Sequence, residues 1–294
     1  MSEIYSQTSL YGCAYLRKSK YHRTEFVHNS HKVSIIIVRK KTILISNIME
    51  VPMEMYEKSE FGESNPSVFA RVIFGLESRL FELGLKMEYG SDFELFERFA
   101  EGTDKQALSE HFQVALNTYT PENAFWLRAV SEEGETVALG AVRLDLLGVQ
   151  TLDRHLAKYW KRCYPGQFGN GATLAAGQPR YLREVSGRVC YLGELWVARL
   201  WQRKKVHIHF SPLAMAIALQ RWNPDWLYCW VRQKMWCKRY PLAYGFSAVH
   251  PVGVRWHEEP STIDNDLVMA LNRRDWALDW MDALADEFPL VSRS

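Results

Sequence analysis

The sequence has no CxxC pair: its five cysteines, Cys13, Cys163, Cys190, Cys229 and Cys237, are odd in number and widely spaced. That pattern argues against a zinc ribbon or a disulfide framework and leaves reduced thiols as the default. No apolar run reaches the roughly 18 to 20 residues that cross a bilayer. The nearest approach, VSIIIVRKKTILISNIM from Val33, is cut by Arg39, Lys40 and Lys41, and predicts two strands joined by a basic turn. GxSxG is missing, and no serine–histidine–aspartate set can be assembled by spacing. The glycines of YPGQFGNGATLAAGQP follow no strand, so they match no phosphate fingerprint and read as a loop. His207 and His209 lie two apart without an evident third ligand, so no metal site is expected. No secretory signal and no membrane span are evident, and the expected compartment is the cytoplasm.

What is present is core and charge placement. Apolar residues make up 47% of the 294, and all 11 tryptophans but Trp126 lie from Trp160 onward, which puts the best-packed part in the C-terminal half. The net charge of +2 is small, but its distribution is not even. Between Arg199 and Arg239 stand Arg199, Arg203, Lys204, Lys205, Arg221, Arg232, Lys234, Lys238 and Arg239 against the single acid Asp225. Such a stretch suits phosphate, of a cofactor or of nucleic acid, or else forms a solvated basic face.

Three divisions are expected: residues 1–60, without a helical stripe, as an N-terminal extension; 61–260 as the main domain; 261–294 as an amphipathic helical tail. SVFARVIFGLESRLFELG and SDFELFERFAE carry helical spacing, the second capped by Ser91 or Asp92, and DKQALSEHFQVALNTYTPENA suggests a third helix. FWLRAVSEEGETVALGAVRLDLL reads as a hairpin turning at Gly134, and LDRHLAKYWKRC as a helix. GRVCYLGELWVARL reads as a strand. In FSPLAMAIALQRW, Ser211 is placed as N-cap and Pro212 as the first helical residue. WLYCWV is a further strand, then a short basic helix ending in YGF, closing strands in SAVHPVGVRW, and the tail helix DLVMALNRRDWALDWMDALADEF.

This order, with VALGAVRL, LGELWVA, PLAMAIALQRW and LAYGF as its carriers, resembles the GNAT acetyltransferases from about Leu85 to Glu259. The resemblance implies an α/β (α+β) fold: a mixed, mostly antiparallel central sheet flanked by helices. It also implies a splayed pair of central strands that admits acetyl-CoA or another acyl-CoA, with the diphosphate held by loop amides and a helix start. An amine then attacks the thioester while a carboxylate takes its proton.

On that resemblance Glu194 is the candidate base, and Tyr240 and Tyr244 are candidate acids for the leaving thiolate. Both are out of register, since the family's tyrosine position is held by Pro241. Leu195, Val197, Arg203, Lys204, Lys205, Ser211 and Leu213 are the candidate donor contacts. The loop departs from the family's Gln/Arg-x-x-Gly-x-Gly/Ala: aligned on Arg203 it puts Val206 and Ile208 at the glycines. Two readings stay open. Either VHIHF passes extended and offers amides near Ser211, helped by Arg203, Lys204 and Lys205, or CoA binding has been lost. The expected partner is a small-molecule or peptide amine, in an acyl-CoA-dependent N-acyltransferase. The rivals are an acyl-homoserine-lactone-type synthase and a non-catalytic module that binds nucleic acid or protein through residues 199–239.

Overall fold

The structure is a computed structural model that describes residues 22–28, 31–38, 41–45, 66–164, 171–260 and 266–288. The chain divides into two units, Met1–Glu57 and Lys58–Ser294. In the first, strands β1 (His22–His28), β2 (His31–Val38) and β3 (Lys41–Ile45) form an antiparallel sheet in that order. The apolar halves on either side of Arg39-Lys40-Lys41 are β2 and β3, with Val38 opposite Lys41.

The second unit opens with helix α1 (Pro66–Glu82), which buries Phe69, Val72, Leu76 and Leu80 at helical spacing. Strand β4 (Lys86–Gly90) and helix α2 (Phe93–Glu101) follow, with the Asp92 side chain accepting the Leu95 N–H at 3.0 Å as N-cap. Next come β5 (Ala124–Val130), β6 (Thr136–Gly148), α3 (Leu152–Cys163), β7 (Thr173–Leu174) and β8 (Gly187–Val197). The remainder is α4 (Arg199–Gln202), α5 (Val206–Trp222), β9 (Trp226–Arg232), α6 (Gln233–Cys237), α7 (Tyr240–Ala243), β10 (Ala248–His250), β11 (Trp256–Glu258), β12 (Leu267–Arg273) and α8 (Arg274–Asp286).

Seven of these strands form one sheet in the order β10-β12-β9-β8-β6-β5-β4, while β7 and β11 make a separate two-stranded ribbon. Every neighbouring pair in the large sheet is antiparallel except β8 and β9. A parallel pair needs a crossover, and α5 supplies it. The period-2 pattern of strand β9 divides its side chains between two cores. Leu227, Cys229 and Val231 pack with α1, α5 and α8, whereas Trp226, Tyr228 and Trp230 face the layer of α2, α3 and the β7–β11 ribbon.

Two expectations are corrected here. Residues 104–120 form turns, not a helix, because neighbouring elements claim their backbone. The Ser109 N–H goes to Glu194, and the His111 carbonyl accepts from Tyr119 at 2.6 Å and from Arg143 at 2.9 Å. The tail helix begins only at Arg274: LVMALNR is strand β12, paired with β9 over seven residues. Val268, Met269, Ala270 and Leu271 are all buried, so the run is covered on both faces. Such a continuous apolar stretch does not distinguish strand from helix by period. No helix among the described residues is long and apolar enough to cross a membrane.

Candidate functional site

The parallel pair is short. Val189 faces Trp226, Cys190 faces Leu227 and Tyr191 faces Tyr228, and the pairing stops there. Two residues on, β8 bulges: Ala141 of β6 lies opposite Gly193, but Leu139 lies opposite Trp196, so three steps on β8 match two on β6. The extra residue is Glu194, at φ +61°. Gly193 is required beside it, since a Cβ there would stand 2.6 Å from the Phe112 ring, which is fully buried. Beyond Tyr191 and Tyr228, β8 stays paired with β6 as far as Val197 but no longer with β9, so the two strands part in a fork there. Leu195 and Val197, on the far arm, point to the α5 core.

Helix α5 starts beside this fork, six residues earlier than expected. VHIHF is its first stretch, not an extended segment, and the N-cap is Lys205 at φ +59° with no side-chain cap. Read from Gln202 instead of Arg203, the Gln/Arg-x-x-Gly pattern places its first glycine at Lys205, the residue that adopts the left-handed conformation. The turn therefore keeps its geometry without glycine, at a cost of about 1–2 kcal/mol. Ser211 and Leu213 lie buried inside the helix, and Pro212 sits in its interior. At about 1.5 Å per residue, Ser211 is more than a turn from the helix start. The orphan donors are thus the first amides, Val206 and His207, and not those around Ser211.

The side chains near that start are basic and aromatic. Arg199, Arg203, Lys204 and Lys205 are exposed at the C-terminal end of β8, and Arg232, Lys234, Lys238 and Arg239 at the same end of its parallel neighbour. The His207 ring lies 5.1 Å from Tyr240 and 6.0 Å from Tyr244, so the structure brings both tyrosines to the α5 N-terminus. Burial pushes the Tyr244 hydroxyl well above its ordinary range, keeping it protonated. Burial, then His209 and Lys205, pull His207 below the usual imidazole value, toward the neutral form.

Glu194 is buried and committed. Its carboxylate pairs with Lys105 at 2.9 Å and accepts the Ser109 N–H at 3.2 and 3.3 Å as well as the Ser109 hydroxyl. The Glu194 side chain is 1% exposed and Lys105 18%. Sequence reasoning found the glutamate but not these partners, which lie in the segment misread as a helix.

It also passed over Arg143, the one cation in the apolar run VALGAVRL. Arg143 is 4% exposed, donates to Asp145 at 3.1 and 3.2 Å and to the His111 carbonyl, and meets the Tyr159 hydroxyl. Its guanidinium stacks over Tyr159 at 4.0 Å and Tyr191 at 5.0 Å. A cavity of about 530 Å³ opens at the end of β8, between Arg98, Arg128, Trp196 and Ala198. Among the described residues, no group of three or more metal-ligating side chains is found.

Burial, reinforced by Arg143, holds His111 well below the ordinary 6.5. Its folded form therefore binds fewer protons than the unfolded chain as pH drops below 6.5, and stability is lost through that window. The expected slope from His111 is up to about 1.4 kcal/mol per pH unit, with His155 acting in the same direction and Glu77, raised by burial, opposing both. Urea midpoints at pH 7, 6 and 5 measure it; a flat profile would contradict a neutral buried His111.

No family model matches the sequence, and no curated protein does. Solved structures with a similar arrangement include an acyl-CoA N-acyltransferase from Pseudomonas aeruginosa, 15% identical, with 65% of this chain and 99% of that one covered at a TM-score of 0.36. The spermidine/spermine N-acetyltransferase SpeG of Vibrio cholerae is 7% identical over 66% and 98%, at 0.35. Arabidopsis thaliana NAA60 in complex with acetyl-CoA is 11% identical over 64% and 99%, at 0.36. The strand order carries the assignment, not these superpositions. A sheet with one parallel pair, a bulge beyond it and a crossover helix between the paired strands give the second unit a GNAT-like fold.

Proposed function

We propose that this chain is an N-acyltransferase that takes its acyl group from acetyl-CoA or another acyl-CoA. The observation that carries the reading is the left-handed turn at Lys205, which starts α5 and its orphan first amides shortly after the C-terminal end of β8, the strand that parts from β9. Diphosphate would meet those amides, with Arg203, Lys204 and Lys205 adding charge, while the pantetheine arm passes between Leu195 and Val197 on one side and β9 on the other. An acceptor amine attacks the thioester carbonyl, the new C–N bond forms, and the C–S bond breaks. The thiolate takes a proton from Tyr240 or Tyr244, which stand by the α5 start. Glu194 occupies the bulge where a base is expected, but both its oxygens are engaged. We assign it to positioning the 105–109 turn at the fork, with the amine's proton leaving to water.

Thermal unfolding of the full chain with acetyl-CoA tests the donor site. Saturation near a hundredfold over Kd should add about 2.7 kcal/mol, read as a rise in Tm. Reversing the charges of Arg203, Lys204 and Lys205 to Glu should abolish the rise without unfolding the chain, since all three are exposed. No rise with millimolar acetyl-CoA, together with steeply salt-dependent binding of RNA or DNA, would overturn the transferase reading in favour of a nucleic-acid module.

A further inference from the structure

Five rings close a circuit at the base of the fork, on the α3 side of the sheet. Trp160 lies 5.8 Å from Trp230, Trp230 lies 5.8 Å from Tyr228, and Tyr228 lies 5.1 Å from Tyr191. Tyr191 is 5.6 Å from His111, which returns to Trp160 at 4.7 Å. Trp256, on the β7–β11 ribbon, stands edge-on to Trp160 at 4.7 Å. Tyr191 and Tyr228 form the last rung of the parallel pair, so the circuit sits where the two strands part.

Three polar atoms of this group are unmatched. Trp160 Nε1, Trp256 Nε1 and His111 Nδ1 are shielded from solvent and lack a hydrogen-bond partner, while the Tyr228 hydroxyl turns to Arg143. Elsewhere the same chemistry is satisfied: Trp126 Nε1 donates to the Asp92 carbonyl at 2.8 Å. Each orphan costs about 1–3 kcal/mol, and native chains keep few of them. Their concentration at the fork marks a place for a ligand.

The donor types state what that ligand must present. An indole N–H only donates, and neutral His111 can offer its proton to an acceptor. Arg143 lies behind Tyr191 and adds positive potential. The wall is aromatic and the matching head is an oxygen acceptor.

On the transferase reading above, which this deepens, we infer that the acceptor is a small amino compound with a carboxylate or carbonyl head. That head docks against Trp160, Trp256 and His111 and leaves the amine free at the fork. An amino acid or an amino-acid amide has this form; a bare alkylamine does not.

Titration of the full chain with L-amino acids, their carboxamides and the corresponding decarboxylated amines tests this, read by tryptophan emission and calorimetry. At least one acid or amide should bind; the arm that binds identifies carboxylate or carbonyl, and the amines should bind tenfold more weakly or not at all. Trp160→Phe and Trp256→Phe keep one aromatic ring but delete the N–H with the rest of the indole, so Tm falls by the cost of the vacated volume, while the acetyl-CoA shift persists and affinity for the acid or amide falls tenfold or more. The inference is overturned if no acid or amide binds, if amines bind equally well, or if the phenylalanine variants keep affinity, the mark of donors serving only structure or a fixed water. The acetyl-CoA shift is measured on the same preparations. Its retention when the panel fails sinks the box alone, and its loss when the panel binds sinks the donor site alone.

Discussion

Glu194→Ala is expected to lower the unfolding free energy by about 3–5 kcal/mol, the range for stripping one partner from a buried ion pair. The substitution strands the Lys105 ammonium, only 18% exposed, and removes the acceptor of the Ser109 N–H and hydroxyl. Glu194→Gln keeps the size and an acceptor oxygen but loses the charge, so its loss should be smaller. Adding Lys105→Met to Glu194→Gln should recover part of the difference, because the unpaired cation goes with it. Denaturant midpoints at constant m-value measure all three; a Glu194→Ala protein as stable as the parent would refute the anchoring role. The same contacts govern activity assays. A lost turnover in Glu194→Gln identifies a base only if the fork and Tm are intact.

Much of the fold was legible because local and tertiary signals agreed. Asp92 caps α2, Gly134 turns the β5–β6 hairpin at φ +86°, and the apolar stripe of α1 lies on its buried face. The parallel pair and its crossover could be placed from VCYLGELWV and WLYCWV. What escaped was decided by partners distant in sequence. Residues 104–120 have helical spacing, yet β6 and β8 side chains take their backbone groups. β12 was read as helix because burial on both faces erases period 2.

The start of α5 was misplaced by strong local chemistry. Ser-Pro is a favoured helix entry, but here Ser211 and Pro212 are buried within a helix that Val206 and Phe210 already tie to the core. Lys205 in the left-handed region leaves no trace in composition, and without a glycine the register of the loop could slip by one. The aromatic box was half visible. The alternation of Trp226, Tyr228 and Trp230 announces one face of a strand, but nothing in the sequence says that α3 and the β7–β11 ribbon bring Trp160 and Trp256 against it.

Arg143→Met should cost about as much as Glu194→Ala, some 3–5 kcal/mol. The methionine fills the aromatic slot between Tyr159 and Tyr191, so packing is largely kept. The loss comes from Asp145, whose carboxylate is 14% exposed and would be left without its guanidinium, and from the His111 carbonyl, which would retain only its tyrosine donors. Asp145→Asn in the same chain should restore a measurable share of the stability, while Asp145→Asn alone should not stabilise. A second readout separates electrostatics from packing. After burial, the Arg143 charge is what disfavours protonation of His111, so removing it lets the folded imidazole protonate at higher pH. The acid-driven loss of stability, which starts below 6.5, would then level off sooner. Urea midpoints of Arg143→Met across pH 7 to 5 should therefore fall less steeply than those of the parent, from a lower starting value. A parallel displacement of the two profiles would show that Arg143 acts on His111 through shape alone.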